Sequence, residues 1–175
     1  MTVVGCVHGR FQPFHNGHLE YVSGAFRKAN FLYIGITNFR LAESDPGSPD
    51  HRYVKEDNPF TYWQRAELIR ATLTAEGVDR DRYLIVPFPI VEPSEIENFV
   101  PKNAVMFTTI YERWNIEKIR RIRQYGYAVC ILWRRRTKLY EGRKVREIMR
   151  SNLNQLDMQM HPSAVPLLKR FLGHK

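Results

Sequence analysis

Short, unbroken apolar runs alternate along this chain with longer stretches in which apolar residues recur every three or four positions. The runs at residues 2–7 (TVVGCV), 31–37 (FLYIGIT), 83–89 (YLIVPFP), 104–108 (AVMFT) and 127–133 (YAVCILW) predict buried β-strands. Residues 17–30 set Leu19, Val22 and Phe26 on one side of a helix, and residues 59–75 do the same with Trp63, Ala66, Leu68, Ile69 and Leu73. Further helices are predicted over 115–125, stopped by Gly126, and from 144 to 150. Another is predicted over 162–172, with proline in its first turn and Gly173 just past its end.

Strand, loop, helix and strand within residues 2–37 form the βαβ unit of a parallel sheet. The full order predicts one α/β domain over residues 1–175. It is doubly wound and Rossmann-like, with a mostly parallel sheet of about five strands and a C-terminal helical segment. Residues 39–57 (FRLAESDPGSPDHRYVKED) break the pattern. They are polar, turn-rich and longer than an ordinary connection, which predicts a lid over a site or a flexible insertion.

Composition narrows the class. A hydrophobic fraction of 43% excludes a disordered chain. A net charge of +9 favours an anionic partner, whether nucleotide, nucleic acid or anionic surface. Cys6 and Cys130 lie inside apolar runs far apart, which predicts inert core thiols and a reduced, cytoplasmic setting. His8 and Arg10 interrupt the only early apolar run, so no secretory signal is read, and no run is long enough to cross a bilayer.

The candidate chemistry lies between the first strand and the first helix, in GRFQPFHNGHLE, residues 9–20. In doubly wound folds ligands bind outside the carboxyl ends of the strands, where this turn falls. Gly9 allows close approach to the backbone, Arg10 pairs with an anion, and the helix start at Gly17 and His18 offers backbone N–H groups. His15 and His18, three apart, can face one side. Together they suit phosphate. A metal reading lacks a third ligand nearby. A surface reading fits poorly with the surrounding Gly-Arg and proline turn, and neither a dinucleotide fingerprint nor a P-loop is present.

These residues carry a resemblance. His15-Asn16-Gly17-His18 resembles the His-x-Gly-His motif of the nucleotidylyltransferase superfamily. The longer segment is similar to the archaeal-type nicotinamide mononucleotide adenylyltransferases. Asn58-Pro59-Phe60-Thr61 with Gln64-Arg65, the stretch Tyr125 to Val129, and Gly142-Arg143-Lys144-Val145-Arg146 resemble later segments of that family in the same order.

The resemblance implies an enzyme that transfers a nucleoside monophosphate from a triphosphate to a small phosphate-bearing acceptor, releasing pyrophosphate. It implies His15, His18 and Arg146 as catalytic residues, with Gly9, Arg10, Phe11, Gln12, Gly17, Gly142, Arg143 and Lys144 binding the nucleotide. It puts Asn58, Phe60, Arg65, Phe99, Thr109 and Trp114 on the acceptor side. Mg²⁺ is expected on the triphosphate, with no metal ligand from protein side chains. Relatives are often homo-oligomers, although no interface signature is legible.

The chain also departs from the pattern. Glu141-Gly142-Arg143 replaces the family's Ser-Gly-Thr, FPIVEPSEIENFV lacks its Asp and puts Phe99 near its Trp, and residues 108–114 (TTIYERW) replace its Ser-x-Asn-Pro segment. The changes gather on the acceptor and base side. Two substrate pairs therefore stay open, ATP with nicotinamide mononucleotide, favoured by the motif match, or CTP with a phosphonate or other phosphate acceptor.

The runs Arg120-Arg121-Ile122-Arg123 and Arg134-Arg135-Arg136 raise a third possibility, a basic nucleic-acid-binding module. No RNA-binding or helix-turn-helix signature accompanies them. Trp63 and Trp133 are expected in the core or in pocket walls, His51 and His161 at the surface, and His8 either satisfied in the core or lining a pocket.

Overall fold

The five apolar runs become five strands of one sheet in the computed structural model, which describes residues 2–40, 55–111 and 114–174. The strands are β1 (Val4–Gly9), β2 (Phe31–Ile36), β3 (Tyr83–Pro87), β4 (Val105–Ile110) and β5 (Val129–Arg134). All neighbours pair in parallel, in the order β3-β2-β1-β4-β5. The order reverses between β1 and β4, the switch point at which doubly wound sheets open a crevice.

The helices are α1 (Asn16–Phe26), α2 (Tyr62–Ala75), α3 (Trp114–Gln124), α4 (Gly142–Ser151) and α5 (Val165–Phe171). Their starts differ from the periodicity by a few residues. Thr61 caps α2 by accepting from the Gln64 N–H at 3.2 Å, so the helix begins after Phe60 rather than at Pro59. Residues 162–172 divide into a 3₁₀ turn, Pro162–Ala164, and α5.

Two apolar clusters cover the two faces of the sheet. The larger joins Val7, Leu32 and Ile34 to side chains of α1, α2, α4 and α5, among them Val22, Leu68, Val145 and Leu168. The smaller joins Cys6, Val86 and Met106 to Ile122 of α3 and to Ile96 and Val100 near a 3₁₀ segment, Pro93–Asn98. Tyr21 ties α1 to both central strands, donating to the Phe107 carbonyl at 2.6 Å and accepting from the His8 N–H at 3.3 Å.

Two expectations change here, and a third lies mostly outside the described residues. Trp63 is not core but 60% exposed, resting against the Phe171 ring. Cys6 is fully buried, whereas Cys130 is only half-buried; both are free thiols. Of residues 39–57, only Phe39, Arg40 and the 3₁₀ turn Lys55–Asp57 fall among the described residues, and the rest of that lid call, with His51, lies outside them. Among the described residues, no helix is long and apolar enough to cross a membrane.

Candidate active site

The carboxyl ends of β1 and β4 open into a cleft of about 780 Å³, walled by the turn after β1, the start of α1, the start of α3 and the start of α4. Its geometry begins with the two histidines. His15 is the N-cap of α1: its Nδ1 accepts the Gly17 N–H at 3.2 Å. The His15 N–H donates to His18 Nδ1 at 3.4 Å, which closes a reciprocal capping box made of imidazoles. The rings lie 3.7 Å apart and 24° from parallel.

This arrangement corrects the expectation of free N–H groups at Gly17 and His18. The Gly17 N–H serves His15, the His18 N–H binds the His15 carbonyl at 2.8 Å, and the Asn16 N–H binds the Gln159 carbonyl at 2.9 Å. The start of α1 therefore offers ring nitrogens instead of backbone donors. Because His15 Nδ1 accepts a hydrogen bond, the proton of its neutral ring sits on Nε2. That atom faces the start of α4, since a Cβ on Gly142 would lie 3.8 Å from it and 3.2 Å from the Arg146 guanidinium.

Both rings are held neutral. Burial, then the charges of Arg146 and Lys138, push His15 down to about 3. Burial, His15 and Arg10 lower His18, against the opposing pull of the Pro13 carbonyl. At Gly17 a Cβ would stand 3.0 Å from Tyr140 Cβ and 3.2 Å from His15 Cε1, a close fit that favours the motif's glycine.

Arg146 is buried with two partners, donating from one nitrogen to the Gln12 carbonyl at 3.0 Å and from another to Asp57 Oδ1 at 2.8 Å. Around it the first turn of α4 has no side-chain cap from Glu141, and two of its residues, Gly142 and Arg143, line the cleft; the first N–H groups of a helix have no intrahelical acceptor. A helix start and an arginine on one wall suit an anion.

The other predicted residues divide. Gly9, Arg10, Phe11, Gln12, Gly17, Thr109, Gly142 and Arg143 line the cleft with His15, His18 and Arg146. Phe11 and Gln12 also make contacts within the protein. The Phe11 ring meets His18 edge-on at 4.9 Å, and the Gln12 amide pairs with both backbone groups of Phe60, at 2.8 and 3.0 Å. Arg143 lies at the rim, paired with Glu147 at 2.9 Å, and Lys144 is exposed away from the cleft.

Asn58, Phe60, Arg65 and Phe99 do not line the cleft. Phe60 is core. Arg65 is fully buried, and its guanidinium donates to the carbonyls of Thr61, Arg10, Thr37 and Asn38, so it clamps the turn after β1 to the end of β2. Phe99 packs toward Phe39 at 6.4 Å. The side chain of Trp114 lies outside the described residues.

Tyr111 falls in the altered 108–114 segment, whereas Asn115, Lys118, Lys138 and Tyr140 line the cleft with no sequence signal beyond their place after a strand. Trp133 is a wall residue as expected, its Nε1–H donating to the Tyr111 hydroxyl at 3.0 Å. His8 also lines the cleft, 4% exposed and stacked flat on Phe88 at 4.4 Å. Among the described residues, neither of its ring nitrogens has a hydrogen-bond partner. A buried polar atom left so costs about 1–3 kcal/mol.

Comparison with known proteins decides what the cleft belongs to. Residues 6–152 match the family described as cytidylyltransferase-like. The chain belongs to this family. It is 36% identical to phosphonoformate cytidylyltransferase of Streptomyces viridochromogenes over 143 residues, 81% of this chain and 78% of that protein. It is 28% identical to nicotinamide-nucleotide adenylyltransferase of Saccharolobus solfataricus over 159 residues, covering 90% of this chain and 86% of that one. In fold it is similar to a bifunctional NMN adenylyltransferase/ADP ribose pyrophosphatase from Francisella tularensis, with a TM-score of 0.69 at 21% identity. That match covers all of this chain and 51% of the other. This cytidylyltransferase-like chain is therefore a nucleotidyltransferase, and its parallel sheet is the family's fold.

Proposed function

We propose that this nucleotidyltransferase moves a nucleotidyl group directly from a triphosphate to a phosphoryl-bearing acceptor, with the transfer centred on His15 and His18. An acceptor oxygen attacks the α-phosphorus in line, the bond from that phosphorus to the bridging oxygen breaks, and pyrophosphate leaves. The chain's contribution is position and charge stabilisation. The His15 Nε2–H donates to the phosphate oxygen on which charge gathers. Arg146 and the first turn of α4 hold the leaving phosphates, which requires Arg146 to exchange Asp57 for a phosphate oxygen. The stacked neutral histidine pair against the start of α4 is the observation that carries this reading.

A divalent ion, which would offset charge on the triphosphate, is expected to arrive with it. Among the described residues no group of three metal-ligating side chains comes together. Of the four carboxylates that line the cleft, Glu20, Asp57 and Glu147 are each engaged by an arginine, and Glu141 stands exposed just before α4. These residues fit an ion held by phosphate oxygens and water.

For the substrates, the pair we favour is CTP with a small phosphonate. The 36% identical relative bears a name of that kind, and the unpaired polar His8 in the cleft suits a small polar acceptor better than a nucleoside. ATP with nicotinamide mononucleotide is the second reading, supported by the long histidine motif, by Asn58-Pro59-Phe60-Thr61 and by the archaeal relative. A pyrophosphate-release screen of ATP, CTP, GTP and UTP against nicotinamide mononucleotide and several phosphonates separates them. CTP with a phosphonate as the active pair is expected; ATP with nicotinamide mononucleotide alone reverses the choice; silence from every pair removes the transfer reading. The two free cysteines support a reduced, cytoplasmic setting for the enzyme.

A further inference from the structure

One polar group in the cleft has no task in the transfer step. His8 sits near the end of β1, on the sheet face that also carries Cys6 and Phe88, while the catalytic histidines belong to the start of α1. Its ring is fixed from below. Gly35, its register neighbour on β2, leaves a space that Phe88 fills, and a Cβ there would stand 2.6 Å from the Phe88 ring. Phe88 in turn stacks on His8 within 4° of parallel. Phe88 is fully buried, so its ring is not available to stack a ligand's base.

The ring so fixed keeps both nitrogens buried and without a hydrogen-bond partner among the described residues, at the wall of an open cleft. Native interiors rarely leave such atoms unmet, and a ligand that supplies the partner is the ordinary exception. Lys118, from α3, lines the same cleft and acts on His8 through its charge, which helps burial to keep the imidazole neutral. A neutral ring offers one N–H donor, and the ammonium beside it adds positive charge. Their combined complement is an oxyanion rather than a neutral hydroxyl or an aromatic base.

We propose that His8 and Lys118 bind a carboxylate carried by the acceptor next to its reacting phosphoryl group, which makes His8 a specificity-determining residue for small carboxylated phosphonates. The carboxylate accepts the His8 N–H and pairs with the Lys118 ammonium. The phosphoryl oxygen is thereby aimed at the α-phosphate held by His15 and His18. This assignment rests on the nucleotidyl-transfer reading above.

The test uses two probes, phosphonoformate, with its carboxylate, and methylphosphonate, without one. Calorimetry on the wild-type enzyme is expected to show phosphonoformate binding at least about tenfold tighter. With ¹⁵N-labelled histidine, both His8 ring nitrogens should shift on saturation with phosphonoformate. His8→Phe keeps a ring on Phe88 and should erase the preference for phosphonoformate; Lys118→Met should reduce it by about tenfold. Equal binding of the two probes by the wild type, no His8 shift at saturation, or an undiminished preference in His8→Phe each overturns the proposal. If His8→Phe fails to fold, the wild-type ring shifts and Lys118→Met decide. A wild type that binds phosphonoformate through His8 yet releases no pyrophosphate from any triphosphate would sink nucleotidyl transfer and leave this site standing.

Discussion

Arg65 gives the sharpest separation between a residue that binds the acceptor and one that holds the site together. Its guanidinium meets four carbonyls, Thr61 at 3.2 Å and Arg10, Thr37 and Asn38 at 2.8 Å each. Arg65→Met keeps most of the volume and removes every donor. The Thr61 carbonyl retains the Arg65 backbone N–H at 3.1 Å, while the carbonyls of Arg10, Thr37 and Asn38 lose the guanidinium. Hydrogen bonds to a charged donor contribute about 1.5–3 kcal/mol each, less where water can reach Arg10 and Asn38, so the loss is about 3–5 kcal/mol. For a chain of this size that lowers the melting temperature by about 10–15 °C. Arg65→Lys, which keeps the charge but not the fork, should fall between the two. Differential scanning calorimetry measures the shift, and pyrophosphate release below the melting point measures the consequence. Because the clamp positions the turn that leads to His15, kcat should fall while the acceptor KM stays within about threefold. A Met variant that melts within about 2 °C of the wild type and raises the acceptor KM about tenfold would refute this account and return Arg65 to the acceptor pocket.

Two further predictions concern the histidines. His18→Ala should lower kcat by about 10²–10³, the usual cost of removing one donor aimed at developing charge, with the circular dichroism spectrum retained; wild-type turnover would remove His18 from the mechanism. The second concerns acid stability. His8, His15 and His18 are neutral in the folded chain, with burial the largest cause and His15 down to about 3. Unfolded, the same rings take up protons below about pH 6.5. Stability should therefore be fully present above that pH and be lost as the pH falls toward the depressed folded values, by up to about 1.4 kcal/mol per pH unit per ring. Urea denaturation at pH 7 and pH 5.5 checks this, and equal stability at the two would show that the rings are charged when folded.

The strands were legible because each is a short apolar run packed between two layers, and the first turn was legible because its glycine, proline and paired histidines suit no regular element. The helix start of α2 was less so: Thr61 sets it, and a cap interrupts periodicity by only one residue. The site's polar framework was hidden for a different reason. Arg65 and Gln12 resemble ligand-binding residues in sequence, yet both saturate backbone groups brought together only by the fold. The partner of Arg146, Asp57, comes from 89 positions away. His8 was left between core and pocket, and no one-dimensional pattern could have revealed two unpaired ring nitrogens.

The imidazole capping box has a consequence for reading mutational data on this enzyme. In most helices the residue that starts the helix and the residue that serves a ligand are different, so their losses can be assigned separately. Here His15 both terminates the orphan donor at Gly17 and presents its own Nε2 proton to the cleft. Replacing it removes a helix cap, worth about 0.5–2 kcal/mol, in the same stroke as it removes the donor proposed to serve the transfer. A scan that scores only activity will therefore overstate the chemistry of His15 relative to His18. The informative comparison is His15→Asn, whose shorter side chain can still accept the Gly17 N–H while leaving nothing in the place of Nε2.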